Sequence, residues 1–400
     1  MLAKSSGSLS LVVLAALSAL GCAPTPEDAS EGALASASDA IMGGYTDSSD
    51  LGVVYVENRA SGSCSGSLLA PNLVLTARHC VAPTLDEVNG GIDCSKTTFG
   101  ANEEPPVFFI SNPVTVSGGY GSTPAKTYRV HEVLTPELTS SCGYDVALLI
   151  LAKNVPATAA APLIPRIDTS LAPGELYSAI GYGATSDSGS GSGTRRRRDT
   201  LAVRCVGTGC SASRQAAATE WVGQEGICSG DSGGPAVDEL GRVVGVVSRG
   251  SAGCLGPIYG HVFSWSQWLR DTALRAAEYG KYTAPAWATG GPTDPAYYAE
   301  PGAACQLAED CPSRLCVEDG AGSYCSKRCD ARMPCPTGYG CVPDLGFCAK
   351  TPAEPKVEEL PAATGGCSQA GGTPRSASSG WLLPLAMALT ACRRGRRRPR

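Results

Sequence analysis

Three segments of the chain carry residue types that together suit nucleophilic catalysis. His79 follows an apolar run and precedes Cys80, which can lock the turn that aims the imidazole. Asp145 opens the apolar run 145–151, where a carboxylate is costly to bury unless a group such as an imidazole N–H pairs with it. Ser232 lies in the small-residue segment CSGDSGGP (228–235), which lets backbone N–H groups reach an oxyanion. The combination predicts a serine nucleophile, a histidine base and an orienting carboxylate.

Each of these signals has an ordinary explanation when taken alone. An Asp at a strand start often ends a turn, and a Gly/Ser-rich segment is often only a loop. The other two histidines, His131 and His261, lie in strand-like runs without Cys or Gly. We therefore expect them to be surface or packing residues.

Composition limits the classes of protein that can hold these residues. The 400-residue chain is too long for one compact domain, and its 49 Gly and 29 Pro exclude a single helical bundle or coiled coil. Its 19 cysteines indicate an oxidising compartment. Net charge is −5 although six arginines lie in the last eight residues, so nucleic acid is not expected as a partner.

The elements that must position the candidate residues are short strands. Apolar and β-branched runs alternate with Gly/Ser/Pro turns from Ile41 to about Gly280, the pattern of an all-β barrel or sandwich. A helical period follows at the end of this region, with Trp265, Trp268, Leu269 and Leu274 expected on one face. The strand-like runs are 52–56, 67–76, 145–151, 176–180, 243–247 and 259–263.

A cysteine-rich module (304–349) follows between two predicted linkers, 281–303 and 350–366. It has almost no aliphatic content, so it must be cross-linked rather than held by a core. Zinc is the alternative, but the module has no histidine and no paired CxxC spacing. Eight cysteines allow 105 pairings, which leaves the connectivity open. They are Cys305, Cys311, Cys316, Cys325, Cys329, Cys335, Cys341 and Cys348.

The amino terminus predicts export. Lys4 precedes an apolar run from Leu9 to Leu20, typical of a signal peptide over residues 1–22. The sequence ending at Cys22 also resembles a bacterial lipoprotein box, so acylation of Cys22 and ordinary cleavage near Ala23 are the two alternatives. Residues 23–40 indicate a disordered pro-segment.

From Ile41 to about Tyr279 the chain resembles the trypsin/chymotrypsin family of serine endopeptidases, with the motifs in the order His, Asp, Ser. IMGG at 41–44 resembles a mature amino terminus exposed by activation, and GYG at 181–183 resembles the turn that opens the second barrel. The resemblance implies an all-β protease domain (41–280) of two six-stranded antiparallel β-barrels with a C-terminal helix, followed by the disulfide-rich module. His79 would be the general base and acid, Asp145 its orienter, and Ser232 the nucleophile.

The same resemblance implies further roles. The backbone N–H groups of Gly230 and Ser232 would form the oxyanion hole, and Asp231 would pair with the freed ammonium of Ile41. Substrate would add as a strand along residues 248–250, which include Ser248 and Gly250. Gly226 and Pro257 would border the primary pocket; neither supplies an acid, so the residue before the cleaved bond (P1) is expected to be uncharged. Disulfides Cys64–Cys80 and Cys228–Cys254 are implied, and Cys94–Cys142 and Cys205–Cys210 use the remaining cysteines.

Three positions depart from the family pattern. Arg78 replaces a small residue beside the histidine, Arg249 replaces the tryptophan after Ser248, and Pro257 replaces a glycine. Separately, the run 185–194 with Arg195 to Arg198 behind it falls where the family has a mobile loop. An exosite, a cleavage point and an ordinary solvated loop all fit that run.

The carboxyl end (367–400) contains Cys367 after two glycines, an apolar stretch 381–391 and the arginine tail. Eleven residues are short of the ~20 needed to span a membrane as a helix. The order nevertheless resembles the sorting signals of myxobacterial surface proteins, in which a cysteine before a short membrane segment marks the processing site. A frayed tail is the alternative.

The sequence therefore predicts an exported serine endopeptidase, made as a zymogen, without a cofactor and acting on protein or peptide. It would be secreted or anchored at a bacterial cell envelope, with a cell-surface ligand as a candidate partner of the module; its oligomeric state is not predicted. The rival hypothesis is a catalytically silent pseudoprotease that binds through the cysteine-rich module.

Overall fold

The computed structural model describes residues 41–351, except 42, 61, 89–90, 117–125, 187–188, 212–214, 252 and 321. Cys22, Cys367, the predicted signal peptide and pro-segment, and all of the chain beyond Thr351 lie outside the described residues. Within the described ranges, no helix is long and apolar enough to cross a membrane.

Six strands of the first half close into an antiparallel barrel in the order β2-β3-β4-β9-β8-β7, so the first predicted barrel is confirmed. Every residue of β9 is buried, and β9 pairs with β4 from Leu73↔Ile150 to Thr76↔Ala147. This pairing places the end of β4 beside the start of β9. His79 follows the first of these strands and Asp145 precedes the second, so both residues lie at the same edge of the barrel. The strands are β1 Tyr45–Thr46, β2 Val53–Asn58, β3 Gly62–Ala70, β4 Leu73–Thr76, β5 Thr84–Leu85, β6 Thr98–Phe99, β7 Phe108–Ser111, β8 Tyr128–Leu134 and β9 Ala147–Leu151.

The second half forms one eight-stranded sheet rather than the predicted six-stranded barrel. Its order is β1-β11-β10-β14-β15-β16-β13-β12, and the described end strands β1 and β12 do not pair with each other, so the second barrel is not confirmed. A buried aromatic group fills this half, with the Trp221 and Tyr259 rings stacked 4.1 Å apart. The strands are β10 Leu176–Gly181, β11 Arg196–Ala202, β12 Cys205–Val206, β13 Glu220–Val222, β14 Pro235–Val237, β15 Val243–Ser251 and β16 Leu255–His261.

The arginine run lies partly in strand β11 and is paired with carboxylates. Arg195 Nε lies 3.1 Å from Asp47 Oδ2, and neither side chain is more than 1% exposed. Arg197 forms ion pairs with Asp50 and Asp199. The expectation of a solvated loop therefore does not hold for these two arginines, because carboxylates from distant segments compensate their charge.

The C-terminal helix of this region is α1, Ser266–Gly280. Its buried face contains Leu269, Ala273 and Ala276, at helical spacing. Leu274 is 42% exposed, so its predicted place on the apolar face is wrong. Short 3₁₀ helices occur at Arg78–Cys80, Pro105–Val107, Gly207–Gly209, Val262–Trp265, Pro295–Tyr297 and Ala308–Asp310.

The predicted linker 281–303 packs against the preceding fold. Trp287 is 3% exposed and belongs to the same core as the first barrel, and Arg270 Nη1 donates to its carbonyl at 2.7 Å. Further along, Arg328 of the module forms an ion pair with Asp294 at 2.8 Å. The segment therefore ties the module to the preceding β-structure instead of acting as a free tether.

The cysteine-rich module consists of two similar halves, each with one hairpin. The hairpins are β17 Cys316–Asp319 with β18 Gly322–Cys325, and β19 Tyr339–Val342 with β20 Phe347–Lys350. In each half the first cysteine pairs with the third and the second with the fourth, a repeat that the sequence analysis missed. The pairs are Cys305–Cys316, Cys311–Cys325, Cys329–Cys341 and Cys335–Cys348.

Candidate active site

His79 lies in a 3₁₀ turn that directly follows strand β4. The disulfide Cys64–Cys80 ties this turn to β3. The neighbouring Arg78 points away from the imidazole, because its Nη1 donates to the carbonyls of Pro136 (2.9 Å) and Leu138 (2.7 Å). The His79 side chain remains 27% exposed and accessible to a reactant.

Asp145 precedes strand β9 and meets His79 at two points. Its Oδ2 lies 2.8 Å from His79 Nδ1, and its Oδ1 accepts the His79 backbone N–H at 2.9 Å. The Ser248 hydroxyl donates to the same Oδ2 at 2.7 Å. Burial works against the carboxylate, but His79 and these hydrogen bonds keep the pKa of Asp145 below its ordinary value.

The imidazole is arranged to accept a proton on its other nitrogen. When Nδ1–H donates to Asp145, the lone pair is on Nε2. Burial opposes the charged ring, yet the Asp145 carboxylate outweighs burial and raises the pKa of His79 above its ordinary value. Arg249 lowers that pKa in part. The pair therefore suits a base that is neutral before reaction and stabilised once protonated.

Ser232 lies in the turn before strand β14, fixed from both halves of the fold. Its carbonyl accepts the Ser65 backbone N–H at 2.8 Å, and Cys228–Cys254 anchors the turn to the loop between β15 and β16. Between the described atoms of Ser232 and His79 no hydrogen bond joins Oγ to the imidazole. Catalytic hydrogen bonds are often long without substrate and shorten in the complex.

Gly230 gives this turn its shape. Its φ of 94° is a conformation that favours glycine. Neither the Gly230 nor the Ser232 N–H donates to a carbonyl of the described residues. Two unpaired amides beside a serine hydroxyl can bind a developing oxyanion.

Sequence reasoning missed Ser65, which braces the Ser232 turn from the first barrel. Its buried hydroxyl donates to the Gly230 carbonyl at 3.0 Å and accepts the Tyr182 N–H at 2.9 Å. One side chain thus joins the Ser232 turn to the 181–183 turn. Its position directly after Cys64 was the only available sequence signal.

Asp231 and Ile41 are both buried, each 1% exposed. The Asp231 carboxylate accepts N–H groups from Gly183 (2.8 Å) and Cys228 (2.9 Å), and no ion pair to it occurs among the described residues. Burial raises the pKa of Asp231 to about 7. Among the described residues Arg196 attracts this carboxylate without forming an ion pair with it, and burial outweighs that attraction.

A cavity of about 320 Å³ adjoins Ser232 and includes Ser248, Arg249 and Gly250 in its lining. Gly226 and Pro257, which were predicted to border the primary pocket, are buried and are not among the residues that line this cavity. A methyl group at Gly226 would lie 3.3 Å from Arg198 Cδ. A larger cavity of about 650 Å³, between the β14–β15 turn and the module, contains none of the candidate catalytic residues.

The two remaining histidines lie apart from this site. His131 stacks on Tyr279 with ring centres 4.2 Å apart. His261 is buried, and burial lowers its pKa to about 4. Neither contacts Asp145 or Ser232.

Comparison with known proteins places this geometry in context. The family model described as Trypsin matches residues 41–269. Trypsin alpha-4 of Lucilia cuprina is 29% identical over 279 residues, covering 67% of this chain and 97% of that protein. Trypsin-1 of Salmo salar is 29% identical over 260 residues (60% and 93%), and transmembrane protease serine 5 of Homo sapiens is 28% identical over 236 residues (53% and 46%).

Proposed function

The chain belongs to the trypsin family of serine endopeptidases, and on that premise we propose that Ser232, His79 and Asp145 are its catalytic residues. The enzyme hydrolyses peptide bonds in a protein or peptide substrate. The observation that carries the residue assignment is the two-point contact of Asp145 with His79, at 2.8 and 2.9 Å, next to the Ser232 turn. That contact fixes both the position and the tautomer of the base.

In the proposed mechanism Ser232 Oγ attacks the scissile carbonyl while His79 Nε2 takes its proton. The oxyanion receives hydrogen bonds from the N–H groups of Gly230 and Ser232. His79 then gives the proton to the leaving amine, and water hydrolyses the acyl-enzyme by the same steps in reverse order. Asp145 stays ionised and stabilises the imidazolium.

Labelling with a fluorophosphonate probe tests the assignment. The activated protein should be labelled once per chain, and Ser232→Ala should abolish labelling. His79→Ala should lower turnover by about 10⁵-fold without unfolding the protein. Wild-type protein that is folded, cut at Ile41 and unlabelled would instead identify a pseudoprotease.

Activation is proposed to use Ile41 and Asp231. Cleavage of the Ala40–Ile41 bond would free an ammonium group, and Asp231 is a buried carboxylate that forms no ion pair among the described residues, although Arg196 attracts it. The new ion pair would order the neighbouring oxyanion turn. A trypsin-like activator would not choose Ala40, because it cuts after Lys or Arg. Ala40 is uncharged and fits the P1 preference proposed for this enzyme, so self-cleavage is chemically permitted.

The primary pocket is proposed to accept an uncharged P1 side chain. The described residues that line the cavity beside Ser232 include no carboxylate, and the charged residue among them is Arg249, a cation. A Lys or Arg of the substrate would therefore be buried without a counter-charge.

Export and anchoring are proposed from the sequence together with the disulfides. Eight disulfides in the described residues fit an oxidising environment. The signal peptide, the lipidation of Cys22 and the processing site at Cys367 remain proposals, as does the division into segments 1–22, 23–40, 41–280, 281–303, 304–349, 350–366 and 367–400. If Cys367 is processed, Cys367→Ser should leave the carboxyl tail attached, detectable by mass spectrometry, or release the protein from the envelope.

A further inference from the structure

The side chain of Arg249 occupies the position after Ser248 where the family carries a tryptophan. Its guanidinium meets Glu220 at two points, Nη1 to Oε1 at 2.6 Å and Nη2 to Oε2 at 2.8 Å. The pair is largely shielded from water, with Glu220 1% and Arg249 13% exposed. A two-point pair of this kind holds the guanidinium in one orientation.

Glu220 is itself held by the backbone leading to the catalytic aspartate. Its Oε1 accepts the Gly143 N–H at 2.7 Å, and its Oε2 accepts the Ala217 N–H at 2.8 Å. Gly143 is two residues before Asp145. The ion pair therefore ties the Asp145 segment to strands β13 and β15.

Arg249 also acts on the hydroxyl that contacts Asp145. Its Nη1 donates to Ser248 Oγ at 3.2 Å, and Ser248 Oγ lies 2.7 Å from Asp145 Oδ2. Because a guanidinium can only donate, it occupies a lone pair of the hydroxyl and leaves the O–H for the carboxylate. A continuous chain of contacts thus runs from Glu220 to His79.

We propose that Arg249, held by Glu220, is a positioning residue of the triad: it directs the Ser248 hydroxyl to Asp145 and so helps to hold the carboxylate in place against His79. The inference rests on the proposed roles of His79 and Asp145. Among described residues, the charged groups that act on the imidazole are Asp145 and Arg249. Arg78, on the same turn, directs its guanidinium to the 136–138 segment instead.

Two single substitutions test the proposal because they should move the same pH limb in opposite directions. Arg249→Met removes the cation and leaves the Glu220 charge, so the midpoint of the acid limb of the pH–rate profile should shift to higher pH by about 0.5 of a unit or more. Glu220→Gln leaves the cation uncompensated, so the midpoint of the acid limb should shift to lower pH. The double variant should lie between them. The measurement is the fluorophosphonate inactivation rate of the activated enzyme against pH, which requires no knowledge of the natural substrate.

Arg242→Met is the matched control. Arg242 pairs with Asp238 at 2.8 Å with similar burial, 12% and 7% exposed. It directly precedes β15, and an extended chain places it roughly 20 Å from Arg249. We expect it to lower stability without moving the acid limb, as a purely structural ion pair would.

Three results decide the proposal. Opposite shifts in the two single variants support it. If Arg249→Met does not fold, Arg249→Gln takes its place, and it should raise the midpoint of the acid limb in the same way because it also removes the cation. Shifts in the same direction, or none, in enzyme that is labelled at Ser232 would overturn the role of Arg249 alone. Wild-type protein without Ser232-dependent labelling would overturn the proposed function and this inference with it.

Discussion

Replacing Asp231 with asparagine is expected to stabilise the uncut chain and to inactivate the cut enzyme. The carboxylate is 1% exposed, accepts two backbone N–H groups, and forms no ion pair in the described part of the uncut chain. Burial raises its pKa from 3.8 to about 7. The charged form is therefore costly until a cation reaches it.

The size of the effect follows from this pKa. A rise of about three units corresponds to about 4 kcal/mol of lost stability once the group is ionised, at about 1.4 kcal/mol per unit. Asparagine cannot accept both N–H groups, and the lost hydrogen bond costs about 1–2 kcal/mol. The net gain for Asp231→Asn should be about 2 kcal/mol above pH 7.

The pH dependence of the free energy of unfolding provides a second test of the direction of this effect. An acid whose folded pKa is raised holds its proton in the folded state between pH 3.8 and about 7, where the unfolded chain has already lost it. Stability of the uncut wild type should therefore fall as pH rises through that window. The asparagine variant should lack this slope, so the two stability curves should cross between pH 4 and 7.

Thermal or urea unfolding from pH 4 to 9 measures both curves. Ser232→Ala in both proteins prevents self-cleavage. In protein cut before Ile41, with Ser232 intact, Asp231→Asn should instead abolish fluorophosphonate labelling, because the new ammonium would have no carboxylate. An uncut wild type that is more stable than the variant at pH 8 to 9 would refute the reasoning.

Three further outcomes are expected. Ser65→Gly should lower kcat about tenfold with little change in KM, because the Gly230 carbonyl loses its brace. Ser67→Ala is the control, because the buried Ser67 hydroxyl on the same strand has no hydrogen-bond partner among the described residues. An unchanged kcat in Ser65→Gly would contradict this role. Alkylation of the non-reduced protein should label no cysteine from Cys64 to Cys348, and stoichiometric labelling of any of them would count against the pairings. A peptide library should show an uncharged P1 residue, whereas a dominant Lys or Arg would reject the pocket assignment.

The strands of the first half and the positions of the active-site motifs could be predicted because both depend on local sequence, whereas the closure of these strands into a barrel was implied by the family resemblance. The strand β9 is a continuous apolar run, and apolar runs next to His79 and Asp145 place these residues at strand ends. The small residues around Ser232 signal a turn with exposed amides. Such features need no knowledge of distant partners.

Features that depend on distant partners could not be predicted. Because charged residues are rarely buried, the arginine run indicated an exposed segment. In the structure Arg195 is buried against Asp47, which lies 148 positions away in the chain. The composition of 281–303 is typical of a linker, but Trp287 finds a place in the barrel core. The sheet order in the second half likewise depends on pairings such as β1 with β11, which periodicity does not report.

The Arg195–Asp47 pair would limit how much of the chain has to move in the proposed activation. Asp47 is held by the buried guanidinium, and the two preceding residues already pair with β11 through Tyr45↔Arg197 and Thr46↔Arg196. Only residues 41–44 then remain to be repositioned when the bond before Ile41 is cut. Because removing one partner of a buried ion pair costs about 3–5 kcal/mol, Asp47→Asn should loosen this anchor. The freed amino terminus would then lose the short, fixed tether that keeps it near Asp231.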